Sequence, residues 1–418
     1  MNPLAQHNAL LLGLDDHWQV DHVDLDLAAQ RVEIRLSHAA NKVPACPGCG
    51  CECPLKDHAP QRRWRHLDTM QFETLLVARV PRTNCSKGGV RTIDIPWAEP
   101  HGRFTLLFEA FAIRVLEAAS SIEQGRLLLR LSWQSAHNIM EQAVQRGLER
   151  RAVDSVEHVG IDEKNFGKGH SYVSVMTDID GGRVLEVVPE RIRAAADSLW
   201  NTLPEQQRQQ VKAVAMDMWA AYVGSTEEHA PQAAIVHDRF QIAKHLGEAV
   251  DRVRRAEHKV LRRQGDARLT GSRCLWMTRE ENLSAERAAT FAELREANLK
   301  TSRAWAIPEL FREFWEFWEQ PGEFTGRLFF GDWYAWASRC RLGPMVKTAK
   351  RLKRHLERLV TWFDHPITNA SAEGFNSVIQ GLKTAARGFR SFANYRIRIL
   401  FRCGRLDMEP VTPLSTSH

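Results

Sequence analysis

The sequence predicts an α/β protein preceded by a cysteine-bearing β region, and three observations carry that reading. Apolar, β-branched runs near 156–162 and 211–217 each end in an aspartate, Asp162 and Asp217. Arg/Glu-rich stretches with helical periodicity fill the chain from about 239 to 360. Five of the eight cysteines lie within the first 85 residues: Cys46, Cys49, Cys51, Cys53 and Cys85.

The bulk numbers bound the classes. With 418 residues the chain has room for two to four domains, and 44% hydrophobic residues allow a sizeable core and exclude wholesale disorder. No apolar run approaches the ~20 residues of a membrane span, and Met1-Asn2-Pro3-Leu4-Ala5-Gln6-His7 lacks the basic-then-apolar order of a signal peptide. A cytoplasmic, nucleoid-associated protein with no membrane partner is expected. The formal charge is +6. Its distribution says more: residues 339–358 carry eight Lys or Arg against one acid, and 252–263 and 383–405 are also basic. One such run is ordinarily a solvated helix face. Three of them around one acidic motif point to DNA, with Lys347, Lys350 and Arg351 as phosphate contacts.

Along the chain, residues 18–36 alternate apolar and polar and predict a β-hairpin with one buried face. Cys46-Pro47-Gly48-Cys49-Gly50 is a turn that presents two thiolates to one ion. Residues 71–80 and 90–95 read as short strands with Cys85 between them. Short strands around cysteine knuckles predict a zinc-ribbon-like region with Zn²⁺ at Cys46, Cys49 and Cys85. A structural zinc takes four ligands. Ser86-Lys87-Gly88-Gly89 supplies none where the fourth is due, which leaves Cys51, Cys53, His58 and His66 as substitutes. A ribbon that has lost its metal is the alternative. The isolated Cys274, Cys340 and Cys403 read as buried small hydrophobes.

Helical periodicity follows over 104–118, 121–130 and 133–150, with Ser132 as the N-cap of the last helix. Three helices with a tight joint before the third predict a helix-turn-helix. Gln134, Ser135, His137 and Asn138 would face base edges or phosphates. A plain helical bundle is the alternative. Strands are then predicted at 156–162, 170–178 and 183–188, a helix at 192–203, a strand at 211–217, a helix to about 226, a strand at 233–237 and a long helix from 239. Three antiparallel strands followed by alternating helices and strands is the order of an RNase H-like sheet, in which the first and fourth strands are neighbours. Residues 250–360 read as a helical insertion. The aromatic stripe Phe311, Phe314, Trp315, Phe317, Trp318 is expected to pack between its helices rather than to stack bases.

Glu373 lies in Thr368-Asn369-Ala370-Ser371-Ala372-Glu373-Gly374-Phe375-Asn376, a helix start with Thr368 or Asn369 as cap. Two strand-borne aspartates and a helix-borne glutamate are hard oxygen donors suited to Mg²⁺ or Mn²⁺, and a metal pair between them suits phosphodiester chemistry. Each acid alone reads as a turn or capping residue; together, Asp162, Asp217 and Glu373 predict a catalytic, metal-holding triad. Asp238, His237 and Asn376 are expected just behind them, with His245 nearby.

The motifs Cys46-Pro-Gly-Cys49-Gly, Pro96-Trp97-Ala98, Arg103-Phe104-Thr105, Gly160-Ile161-Asp162-Glu163, Met216-Asp217-Met218-Trp219 with Tyr222, His237-Asp238-Arg239-Phe240 and Thr368-Asn369-x-x-x-Glu373-Gly374-x-Asn376 together resemble the DDE transposases of bacterial insertion sequences, specifically the ISL3 family. The resemblance runs over nearly the whole chain. It implies a zinc-binding N-terminal region, a helix-turn-helix and an RNase H-like domain with a helical insertion, and by matching motifs it puts the triad on Asp162, Asp217 and Glu373. It also implies binding to terminal inverted repeats, cleavage, joining of 3′-hydroxyl ends to target DNA, and a homodimer on paired ends. The family pattern after Cys85 resembles Cys-x-x-His-Gly, and here Gly88 stands at the histidine position. The expected division is 1–100 zinc-ribbon-like, 101–152 helix-turn-helix, 153–250 catalytic core, 251–360 insertion, 361–405 closing helices and 406–418 tail. A nuclease of the same fold, or a transposase-derived DNA-binding regulator, is the alternative reading.

Overall fold

The computed structural model describes residues 3–151, 155–167, 171–315 and 323–411, apart from the side chains of 323–324 and 370–373. The chain divides into two compact units. One holds residues up to 151 with 382–389 and 406 onward, and the other holds 152–381 with 390–405.

The first unit opens with α1 (Pro3–Leu11), β1 (Trp18–Asp26) and β2 (Arg31–His38). It continues through β3 (Leu55–His58), β4 (Arg62–Thr69), β5 (Phe72–Ala78), β6 (Pro81–Cys85) and β7 (Gly89–Thr92). The strands form a four-stranded sheet, β1-β2-β5-β4, and a three-stranded one, β3-β6-β7. Trp18, Trp64 and Trp97 are buried together, with Trp97 meeting the other two edge-on at centroid distances of 4.6 and 5.6 Å. Such tilted contacts suit the aromatic quadrupole. The 18–36 hairpin is as expected. Three strands are additional: β3, β4 and β6. The Arg62-Arg-Trp-Arg-His run of β4 looks too polar for a strand. Its pairing with β5 and the full burial of Trp64 supply what its composition does not.

Three helices follow: α2 (Leu106–Ala118), α3 (Ile122–Leu129) and α4 (Trp133–Arg151). Thr105 caps α2 through the Phe108 N–H and Ser121 caps α3 through the Gln124 N–H. Arg130 takes a left-handed φ of 54° that ends α3, and Ser132 Oγ accepts from the Ser135 N–H at the start of α4. The tight joint is thus made by one residue at positive φ and one hydroxyl cap.

The second unit holds β8 (His158–Asn165), β9 (Tyr172–Asp178) and β10 (Arg183–Pro189), then α5 (Arg193–Asn201), α6 (Glu205–Gln210), β11 (Ala213–Met216), α7 (Ala220–His229) and β12 (Ala234–His237). Their sheet has the order β10-β9-β8-β11-β12. The first three strands pair antiparallel, and β8, β11 and β12 pair parallel. Trp200, Leu199, Tyr222 and Val223 of α5 and α7 share a core with Val159, Ile161, Met176 and Val214. The sheet strands read as unbroken apolar runs because they are buried along most of their length.

Helices fill most of the remainder: α8 (Arg239–Arg263), α9 (Arg273–Met277), α10 (Ala285–Glu296), α11 (Lys300–Arg312), α12 (Glu323–Arg339), α13 (Gly343–Arg354), α14 (Leu356–Val360), α15 (Ala370–Ala385) and α16 (Phe392–Cys403). The helices from α8 to α14 enclose their own core around Phe311, Phe314, Phe330 and Trp333. Phe311 and Phe314 stack at 5.2 Å, and Trp315 packs edge-on to both. These aromatics are core, as their spacing predicts; Phe317 and Trp318 lie outside the described residues. No helix among the described residues is long and apolar enough to cross a membrane.

Trp333 is 1% exposed and donates its indole N–H to the Ile307 carbonyl at 2.9 Å. Trp333→Ala is expected to cost about 3–5 kcal/mol through the cavity it leaves. Trp333→Phe should cost less, about 1–3 kcal/mol, for the lost indole hydrogen bond and the smaller ring. Guanidinium unfolding midpoints measure both, and an alanine variant as stable as the parent would contradict this packing.

Candidate functional site

The site begins with strand register. Parallel pairing of β8 with β11 sets Ile161 beside Met216, and the next step sets Asp162 beside Asp217. Pairing of β11 with β12 sets Met216 beside His237, so the following step brings Asp238 into the same row. The Asp238 N–H donates to the Met216 carbonyl at 3.1 Å, which carries the pairing to the strand end. Three aspartates therefore stand side by side across three adjacent parallel strands, where β11 and β12 end and β8 runs on to Asn165, roughly 4.8 Å apart from strand to strand. In an open α/β sheet this is where ligands are met.

The three carboxylates are held differently. Asp162 Oδ1 accepts from the Glu163 N–H at 2.8 Å, and Oδ2 accepts from Asn376 Nδ2 at 2.8 Å. Burial pushes its pKa up to about 6, and the charges of Glu163 and Asp238 add to that effect. Asp217 accepts from the Met218 N–H at 2.6 Å, and His245 Nε2 lies 3.9 Å from it. Burial raises its pKa, but His245, the Met218 N–H and the Arg351 charge outweigh that and hold it below the usual carboxylate range. Asp238 is only 4% exposed. Burial raises its pKa against N–H groups of Phe240, Asn369 and Gln241. Its carboxylate thus begins α8 and ties the residue just before α15 to the same point.

Asn369 donates its side-chain N–H to the Ile161 carbonyl at 3.3 Å. That approach requires Gly160: a Cβ there would sit 2.4 Å from Asn369 Oδ1 and 2.5 Å from Thr177 Oγ1. Helix α15 is therefore laid directly against β8, and Asn376 reaches Asp162. Glu373 is on the same helix three residues earlier, a spacing that shares a helical face. The Glu373 side chain lies outside the described residues. His237 is fully buried with Nε2 3.3 Å from His355 Nδ1, and burial drives its pKa down to about 3. It is a neutral packing residue behind the acid row.

The remaining predicted contacts divide. Arg351 lies close enough to Asp217 for its charge to be felt there, whereas Lys347 and Lys350 line a separate basic recess of about 650 Å³ with Tyr334, Lys353 and Arg354. At the start of α4, Gln134 and Asn138 are exposed and joined by a 2.6 Å hydrogen bond, and Ser135 is half-buried. His137 is not a surface group: it is 7% exposed, with its ring stacked on Trp133 at 4.9 Å. It sits one turn after Trp133 on the inward face, which the polar run Gln134-Ser135-His137-Asn138 conceals. Sequence reasoning missed Arg191, which bonds Glu163 at 2.8 Å and lies over the Trp219 ring at 4.9 Å and the Tyr172 ring at 4.5 Å. It belongs to no motif; the exposed Trp219 beside Asp217 was the only signal.

In the first unit, Cys46, Cys49 and Cys85 bring their sulfurs within 4.8 Å of one another. Cys49 and Cys85 are 3.6 Å apart, near the roughly 3.8 Å edge of a tetrahedron with Zn–S bonds of about 2.3 Å. The Lys87 N–H, the Cys49 thiol and the Gly88 N–H hold Cys85 down to about 6, toward its thiolate. The donor set therefore fits zinc.

The chain was compared with known proteins. Residues 159–399 match a family described as transposase, 42–88 match the zinc-finger of transposase IS204/IS1001/IS1096/IS1165, and 93–144 match the helix-turn-helix domain of transposase family ISL3. The transposase for insertion sequence element IS1001 of Bordetella parapertussis is 29% identical over 364 residues, 86% of this chain and 88% of that relative. The transposase for insertion sequence element IS1557 of Mycobacterium tuberculosis is 27% identical over 414 residues, 91% of each chain.

The raised Asp162 pKa has a stability consequence. A carboxyl whose folded pKa exceeds its unfolded value favours folding while protonated, so its contribution is present below about pH 4 and lost as pH rises to about 6. Asp217 has the opposite sign, and its contribution is lost only as pH falls below about 4. Without added Mg²⁺, unfolding followed from pH 4.5 to 7 is expected to show a loss of about 1–3 kcal/mol that Asp162→Asn removes. Identical pH profiles for the two proteins would rule out this role of Asp162.

Proposed function

The chain belongs to the ISL3 family of transposases, and from that premise we propose that it binds terminal inverted repeats, cleaves DNA at their ends and joins the 3′-hydroxyl ends to target DNA. The family implies a DNA-binding polynucleotidyl transferase that works with a divalent metal. We read the second unit as RNase H-like, supported by its β10-β9-β8-β11-β12 order and mixed pairing. The proposed domains keep the sequence division, except that residues 382–389 and 406 onward group with the first unit.

The observation that carries the assignment of Asp162 and Asp217 as catalytic carboxylates is their adjacency in register, Asp162 within β8 and Asp217 directly after β11. Glu373 completes the triad by its place on α15, the helix that Asn376 ties to Asp162. Paired Mg²⁺ or Mn²⁺ ions bound there would offset charge on the attacking and leaving oxygens. Hard oxygen donors fit such ions, and the raised pKa values of buried Asp162 and Asp238 mark a charge cost that a cation would relieve. Asn376 holds the Asp162 carboxylate in orientation. Arg351 puts positive charge beside Asp217, and His245 Nε2 lies 3.9 Å from it, where a scissile phosphate would lie. Asp238 anchors the two helix starts, and His237 packs beneath. Lys347 and Lys350 take DNA phosphates on α13, and Gln134, Ser135 and Asn138 meet DNA from α4. Zinc held by Cys46, Cys49 and Cys85 stiffens the β3-β6-β7 ribbon. The protein acts as a homodimer on paired ends in the cytoplasm, at the nucleoid.

The test uses labelled duplexes carrying the element's terminal repeat. Asp162→Asn, Asp217→Asn and Glu373→Gln are each expected to lower cleavage at least about 10²–10³-fold. End-binding should change less than about twofold, because phosphate and base contacts elsewhere supply that affinity. Pre-cut ends with a free 3′-hydroxyl should be joined to target DNA by the parent protein. Cleavage that survives Asp162→Asn would sink the triad assignment, and hydrolysis without joining would reduce the activity to that of a nuclease.

A further inference from the structure

The zinc site has three evident ligands, and the position where the family pattern resembles a histidine holds Gly88. We propose that the buried sulfur of Cys53 is the fourth ligand, so that this ribbon closes as a four-sulfur site of Cys46, Cys49, Cys53 and Cys85. The inference rests on the reading that the ribbon binds zinc.

Backbone register carries it. In the antiparallel pair β3·β6, Leu55 stands opposite Thr83, and the Asn84 N–H donates to the Pro54 carbonyl at 3.1 Å. The next step back places Cys53 directly opposite Cys85. Because 54/84 is the hydrogen-bonded pair, 53/85 is a close, non-hydrogen-bonded pair whose side chains share one face. The Cys53 N–H also donates to the Pro44 carbonyl at 3.0 Å, and Cys46 N–H to the Cys51 carbonyl at 2.9 Å. One strand edge thus sets Cys53 against both cysteine knuckles. Cys46, Cys53 and Cys85 form a single buried cluster, at 2%, 6% and 4% exposure.

The other substitutes fail on placement. Cys51, exposed as Cys49 is, turns its sulfur to the Cys49 carbonyl at 3.7 Å and, unlike Cys53, is not set opposite Cys85 by the β3·β6 register. His58 pairs with Pro81, at the far end of the β3·β6 ladder from Cys85. His66 belongs to the other sheet and bonds Thr105 Oγ1 through Nδ1 at 2.9 Å.

A second observation concerns charge. Four thiolates around Zn²⁺ leave a net charge of about −2. The Arg91 guanidinium lies across both knuckles: a Cβ on Gly48 would fall 2.6 Å from its Nη1, and one on Gly88 would fall 3.0 Å from its Nε. The space over residues 48 and 88 is thus taken by a cation, which suits an anionic four-sulfur site better than a neutral histidine would.

The experiment loads the full-length protein with Co²⁺ in place of Zn²⁺ and reads its visible and thiolate charge-transfer absorption. The parent should give the intensity of four thiolates, and Cys51→Ser should match it. Cys53→His should keep the metal but lose one thiolate's share of the charge-transfer band and shift the visible band. Cys53→Ser should release zinc to a competing chelator at least about tenfold more readily, as loss of even an outer-shell partner does. A three-thiolate spectrum in the parent, or an unchanged spectrum in Cys53→His, overturns the assignment while leaving zinc binding intact. A parent that takes up neither Zn²⁺ nor Co²⁺ overturns the zinc reading as well.

Discussion

The parallel pairing of β8, β11 and β12 is the constraint on which the second unit depends. The parallel stretch is short, because β11 and β12 contribute only four residues each. A slip of one residue would turn every side chain to the opposite face. Register is fixed because both faces of β11 are buried, by Val214 and Met216 in one core and Ala213 in another. The packing that makes the fold stable therefore also aligns Asp162, Asp217 and Asp238. Apolar burial supplies the stability, and the carboxylates are carried at its expense, as the raised pKa values of Asp162 and Asp238 record.

Much of this was legible in the sequence, for identifiable reasons. Strands that end an apolar run in an aspartate announce both their length and their polarity, so β8, β11 and β12 could be placed within a few residues. Helices α2, α3 and α4 were legible from their periodicity and from Ser132, whose cap behaves as its sequence position implies, while Thr105 and Ser121 prove to be caps rather than helical residues. What stayed hidden depends on tertiary neighbours. The polar-looking β4 is a strand only because β5 pairs with it and Trp64 is buried. His137 looks like a surface donor until Trp133 covers it. Arg191 gains its place beside Glu163 and Trp219 through a loop that no local pattern marks.

The two candidate metal sites are kept distinct by donor chemistry. Soft sulfur is concentrated in the first unit, where backbone N–H groups favour the Cys85 thiolate. The second unit offers oxygen from carboxylates, with the His245 nitrogen 3.9 Å from Asp217. Thiolates select zinc, and carboxylates accept Mg²⁺ or Mn²⁺. One polypeptide can thus retain a structural ion while exchanging a working one.

Asp238 accepts hydrogen bonds from the beginning of α8 and from Asn369 just before α15. The whole helical segment between them accordingly leaves and re-enters the sheet at one carboxyl group. The entropy of closing a loop grows only slowly with its length once the two ends are clasped. Lengthening, shortening or exchanging that segment should disturb the acid row far less than its size suggests, which makes this doorway the natural place for relatives to diverge in what surrounds a shared chemistry.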